Sequence, residues 1–71
     1  MTANEYLFEL IMAAAQYTSD DLTDVAGQSL PDDAYATARD LVESFIPRKF
    51  MKQFNESAQR IANTHNIKIT L

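Results

Sequence analysis

Residues 3–17 read ANEYLFELIMAAAQY, and they predict a helix around which the rest of the chain packs. Large apolar side chains recur at intervals of three and four residues, which is the spacing of an α-helix. At about 100° per residue, the polar positions Glu5, Glu9 and Gln16 share one narrow stripe. Almost all of the remaining circumference is apolar or aromatic, so this helix requires burial on most of its sides.

A short second helix is expected over residues 20–26. Thr18 or Ser19 would cap it, because a side-chain oxygen there can accept a hydrogen bond from a free amide of the first turn. Gly27 is the only glycine in the chain. It stands where a helix often ends in a left-handed residue, so we expect this helix to end at Ala26.

The third helix is expected over residues 31–46, with one apolar face. Ser29 and Asp32 resemble a capping pair at its start. Arg39 falls on the polar side of this helix, opposite the apolar face. Pro47 ends the helix, because proline disfavours a helical conformation in the residue before it.

The fourth helix is expected over residues 47–65, with an apolar face and a basic face. On the helical wheel His65 projects toward the apolar face, and we interpret it as a packed or helix-terminal histidine.

The tail, residues 67–71, alternates apolar and polar side chains, as strands do. Such a lone strand would pair with another chain. The alternative is an extended tail whose apolar side chains pack onto the helices.

These elements predict an all-α fold over residues 1–71, a single domain. It is a small bundle of three main helices plus one short helix, followed by an extended C-terminal tail. A chain of 71 residues without cysteine has a thin stability margin and no disulfides. Self-association is therefore the remaining means by which such a short chain could gain stability.

Charge is distributed unevenly along the chain. Residues 1–46 carry nine acids and one base, whereas residues 47–71 carry five bases and one acid. Such asymmetry indicates a charged partner or a head-to-tail contact between copies. The alternative is that the two halves neutralise each other within the fold.

No catalytic centre, metal site or cofactor is expected, and we predict that the chain is not an enzyme. The single histidine and the absence of cysteine leave little for a nucleophile–base pair. The acids near Asp20 lack the spacing of a calcium loop.

The longest uncharged run, residues 10–19, is too short to span a membrane. We expect a cytoplasmic protein that does not engage membranes.

Three binding functions remain open. The first helix has a wider apolar surface than the other helices can readily cover, which indicates a protein partner or a homodimer. The predicted contact residues are Tyr6, Leu7, Phe8, Leu10, Ile11 and Met12. The alternative is nucleic-acid binding through the basic face of the fourth helix, by Arg48, Lys49, Lys52 and Arg60. An acidic chain could also mimic nucleic acid. If the chain binds a protein partner or a second copy of itself, we expect it to act as an adaptor, regulator or inhibitor of a larger assembly.

Overall fold

The computed structural model describes residues 1–68, which form four α-helices and no strand. These are α1 (Ala3–Ala14), α2 (Thr23–Ala26), α3 (Tyr35–Glu43) and α4 (Met51–Thr64). A 3₁₀ turn, Arg48–Phe50, leads into α4. The predicted all-α bundle of three main helices and one short helix is confirmed.

Helix α1 lies at the centre of the bundle and packs against both α3 and α4. Its inner side places Tyr6, Leu7 and Leu10 in the core. The facing sides of α3 and α4 contribute several alanines, which let the helix backbones approach closely. The core residues from these two helices are Ala38, Val42, Phe54, Ala58 and Ala62.

Helix α1 begins with a complete capping box. The Thr2 hydroxyl accepts a hydrogen bond from the Glu5 amide, and the Glu5 carboxylate accepts one from the Thr2 amide, each at 3.3 Å. The helix ends at Ala14, three residues before the predicted end. Tyr17 then turns back, so its ring centroid lies 5.5 Å from that of Phe50.

Helices α2 and α3 start later than the sequence predicts. The Thr23 amide donates to the Asp21 carboxylate at 2.9 Å, and the Thr23 hydroxyl donates to the same oxygen. These two hydrogen bonds lower the pKa of Asp21. Neither Thr18 nor Ser19 caps α2. Helix α3 begins only at Tyr35, without a side-chain cap.

Gly27 does not adopt the left-handed conformation that the sequence predicts for it, whereas Asn66 does. Gly27 has a φ of −77°, in the right-handed region. Asn66 has a φ of 57° and ends α4 in a Schellman motif. The Ile67 amide donates to the Ala62 carbonyl at 2.8 Å, and Ile67 itself is buried. Residues 69–71, which carry most of the predicted strand, lie outside the described residues.

Candidate protein-interaction surface

The six predicted contact residues do not form one surface. Tyr6, Leu7 and Leu10 are fully buried inside a single copy of the chain. Phe8 keeps 51% and Met12 keeps 72% of its surface exposed. Ile11 is half-buried and packs against the edge of the core. The surface that could meet a partner therefore narrows to Phe8 and Met12.

The expectation that α1 has a wider apolar surface than the other helices can readily cover does not hold for Tyr6, Leu7 and Leu10 on its inner side. The alanines of α3 and α4 allow close packing there. Leu22 and Val25 from the α2 region and Ile67 after α4 complete the same core cluster. For Ile67, this burial agrees with the alternative given for the tail, in which its apolar side chains pack onto the helices.

Four exposed side chains define what we call the α1 outer face. They are Glu5, Phe8, Glu9 and Met12. Residues three and four apart in a helix are neighbours on its surface. Phe8 and Met12 therefore form an apolar row, and Glu5 and Glu9 form an acidic row beside it.

Hydrogen bonds hold the first turn of α1 in place next to this face. Asn4 donates from its amide nitrogen to the Gln28 carbonyl at 2.8 Å, and its amide oxygen accepts from the Leu30 amide at 2.7 Å. The Ala3 amide donates to the Asp32 carbonyl at 3.0 Å. The Asn4 clamp, formed by the two hydrogen bonds of Asn4, had no signal in the sequence, because its partners lie more than 20 residues away.

The sequence that contains the α1 outer face is acidic. Residues 1–38 contain seven acids and no lysine, arginine or histidine. The Glu5 carboxylate is oriented by Thr2, whose hydroxyl also donates to it at 3.2 Å. Asp32 and Asp33 are exposed close to the start of the helix. No base in this part of the chain offsets these charges.

A polar network lies on the opposite, inner side of α1. Arg39 is only 2% exposed, which corrects its predicted place on the polar face of α3. Its Nε lies 3.2 Å from Glu43 Oε1, and its Nη2 donates to the Asn55 carbonyl at 3.5 Å. Within residues 1–68, Arg39 Nη1 and Asn55 Oδ1 have no hydrogen-bond partner.

Tyr6 joins this network to the core. Its hydroxyl donates to the Ala58 carbonyl at 3.1 Å. Burial raises the pKa of the Tyr6 phenol, and the nearby Arg39 charge partly opposes the rise. Because Tyr6 and Arg39 are both buried, their role in the folded chain is structural support for α1.

The predicted nucleic-acid contacts are all exposed but do not form one continuous patch. Arg48, Lys49 and Lys52 gather near the start of α4, with the Lys49 Nζ 5.1 Å from the Phe50 ring centroid. Arg60 lies two helical turns beyond Lys52. Glu56 is exposed on the same side between them and interrupts the row of positive charge.

The remaining chemistry-bearing positions are not brought together. His65 is exposed at the C-terminal end of α4, which agrees with its interpretation as a helix-terminal histidine. It does not face the core, so the helical-wheel prediction for its side chain was wrong. Residues 1–68 form no pocket that could hold a small-molecule ligand. The same residues contain no group of three side chains placed to bind a metal ion. None of their helices has the length and hydropathy needed to cross a bilayer.

No family model matches this chain, and neither the curated proteins nor the solved structures that were compared include a match.

Proposed function

We propose that this chain is a non-catalytic protein–protein interaction module and that the α1 outer face is its contact surface. The exposure of Phe8 and Met12, which form the apolar row of that face, supports the proposal most directly. Full burial of an exposed side chain of this size contributes about 1.5–3 kcal/mol, and burial of the surface that Phe8 and Met12 still expose would contribute roughly half or more of that. Large apolar side chains left together on a surface usually mark a contact site.

In this proposal the chain acts in the cytoplasm as an adaptor, regulator or inhibitor of a larger assembly. Self-association through α1 is one form that the contact could take. Its driving force is smaller than the sequence indicated, because Tyr6, Leu7 and Leu10 are already buried without a second copy. Homodimer formation therefore depends on Phe8 and Met12.

Site-specific photo-crosslinking in the source cells tests the contact surface. A photoreactive phenylalanine analogue replaces Phe8, which conserves the aromatic ring. A matched variant carries the analogue at Gln53, which is exposed on α4. We expect crosslinked protein from position 8 and little from position 53. Equal yields from the two positions, or none from position 8, would contradict the proposal.

A mass measurement in solution tests self-association directly. One copy has a mass of 8.0 kDa. If copies pair through α1, the mass doubles at high concentration and Phe8→Asp restores the single-copy value. Gln53→Asp is the matched control and should leave the mass unchanged. A single copy at all concentrations would restrict the proposal to partners other than the chain itself.

Nucleic-acid binding through α4 is the second candidate. The exposure of Arg48, Lys49 and Lys52 near the start of α4 favours it. Titration with duplex DNA at two salt concentrations should then show steep salt dependence, weakened in Lys49→Glu and Lys52→Glu. If the acidic surface instead mimics nucleic acid, the chain should compete with DNA for a common protein.

A further inference from the structure

We infer that the α1 outer face binds a basic amphipathic helix of another protein. This inference rests on the proposed function and specifies the partner for the same surface. The helix would present apolar side chains to Phe8 and Met12, and lysine or arginine side chains to Glu5 and Glu9.

The arrangement of the four side chains fits a helix better than an extended peptide. Phe8 and Met12 are separated by one helical turn, and so are Glu5 and Glu9. Two adjacent rows with the same spacing match the ridges of a second helix, whose residues also recur every three and four positions. A partner with an apolar row beside a basic row would meet both rows along one line of contact.

The local charge favours a basic partner. Glu5 and Glu9 lie on the face itself, and residues 1–38 contain no lysine, arginine or histidine. The Glu5 carboxylate is already oriented by the Thr2 capping box, so ordering it on binding costs little conformational entropy. Met12 adds an unbranched side chain that can adapt to apolar partners of different shape.

A second copy of this chain fits the surface less well. If two α1 helices packed together, the apolar rows would meet, but four glutamates would be brought together without a base. If α1 packed on α4, the charges would match, but Phe8 and Met12 would meet the polar exposed side of α4. Within residues 1–68 the only exposed large apolar side chains are Met1, Phe8 and Met12. No face of a second copy therefore offers apolar and basic rows together.

Titration of the full chain with synthetic helical peptides tests the inference. The first peptide carries leucines at i and i+4 positions and lysines along the adjoining row. The second replaces every lysine with glutamate, and the third replaces every leucine with glutamine. Binding is followed by the anisotropy of the labelled peptide and by backbone amide shifts of the chain. Only the first peptide should bind and shift the amides of α1.

Matched variants separate the apolar row from the acidic row. Phe8→Asp should weaken binding of the first peptide at least about tenfold. Glu5→Gln keeps the capping box. The double variant with Glu5→Gln and Glu9→Gln should bind the first peptide about three- to tenfold more weakly, and its affinity should depend less on salt. Glu56→Gln on α4 is the control for loss of a glutamate charge, and it should change neither the affinity nor its salt dependence. Circular dichroism confirms that each variant is folded.

The possible outcomes distinguish this inference from the proposed function. Equal binding of the lysine and glutamate peptides, absence of binding, or indifference to Glu5→Gln with Glu9→Gln would overturn the basic helix. A dimer broken by Phe8→Asp would also overturn it while leaving the interaction module intact. Failure of crosslinking from position 8 would contradict the proposed function itself.

Discussion

Tyr6 illustrates how one side chain can connect two environments. Its ring belongs to the apolar core and packs edge-on against Tyr35, with ring centroids 6.0 Å apart. Its hydroxyl donates to the Ala58 carbonyl across the α1–α4 contact. Tyr6 therefore fixes the position of α1 against α4 by packing and by a hydrogen bond.

Replacing Tyr6 with phenylalanine should reduce stability and remove a pH dependence. Loss of the hydrogen bond should lower the free energy of unfolding by about 1 kcal/mol at neutral pH. The pKa of Tyr6 is raised above its ordinary value of 10.0, so the neutral phenol is favoured by folding. Its contribution is complete below that value and declines as pH rises through the folded-state pKa.

Urea unfolding followed by circular dichroism at neutral and alkaline pH measures both effects. Tyr35→Phe is a matched control, because the Tyr35 hydroxyl donates to the Met1 carbonyl at an exposed site. A Tyr6→Phe variant as stable as the parent protein, with the same loss of stability in alkali, would contradict this assignment.

Other buried polar partners were not predictable from the sequence. The helical spacing of α3 predicts Arg39 on the polar side, opposite the apolar face. Its ion pair with Glu43 has helical i, i+4 spacing, but that spacing is equally common on exposed surfaces. The Asn4 clamp depends on where a distant loop passes. Such pairings follow from tertiary structure, which periodicity does not encode.

Among the helices, existence was predicted better than boundaries. The apolar periodicity of α1, α3 and α4 is strong, and all three are present. Where a helix begins also depends on which nearby group accepts a hydrogen bond from its first turn, and periodicity does not determine this. Asp21, rather than Thr18 or Ser19, accepts from the first turn of α2, so that helix starts at Thr23. Several side chains near each end could have capped the helix, and the sequence does not rank them.

The C-terminal end of α4 provides a test of one such boundary. Asn66 adopts a left-handed conformation, which costs most residues about 1–2 kcal/mol. Asn66→Ala should therefore lower the free energy of unfolding by about 1 kcal/mol, whereas Asn66→Gly should preserve or raise it. Urea denaturation of both variants measures the difference. Equal stabilities would show that Asn66 does not limit the end of this helix.

At the scale of the whole molecule, the packing of α1 determines which of its apolar side chains are buried in the core and which remain exposed to a partner. The prediction that α1 carries more apolar surface than its neighbours can cover was correct only for Phe8 and Met12. Leu10 is buried, although it lies only two residues before Met12. Both residues are apolar, so the sequence predicts contact for both. The packing of α3 and α4 against α1 determines that Leu10 is covered and Met12 is not.

Leu10→Ala should destabilise the chain severely. Removing a fully buried leucine side chain typically costs about 2–5 kcal/mol. One core of this size rarely provides more than about 3–5 kcal/mol. We therefore expect a large unfolded fraction without denaturant, seen as loss of helical circular dichroism. Met12→Ala, on the exposed side, should change stability by less than about 0.5 kcal/mol.

A result in which both variants lose equal stability would show that Met12 is also covered in solution. It would then be necessary to find what covers it, since one copy leaves most of its surface accessible. Comparison of the two variants at several protein concentrations separates burial by a second copy from burial within one chain, because only the former depends on concentration.

Glu5 and Glu9 are exposed on α1, whereas Arg48, Lys49 and Lys52 are exposed near the start of α4. Charges of opposite sign are therefore carried by different helices. A charged protein approaching from a distance would experience a torque that rotates the pair before they touch. Orientation would thus be selected during diffusion, and a larger share of encounters would begin with α1 facing a cationic partner.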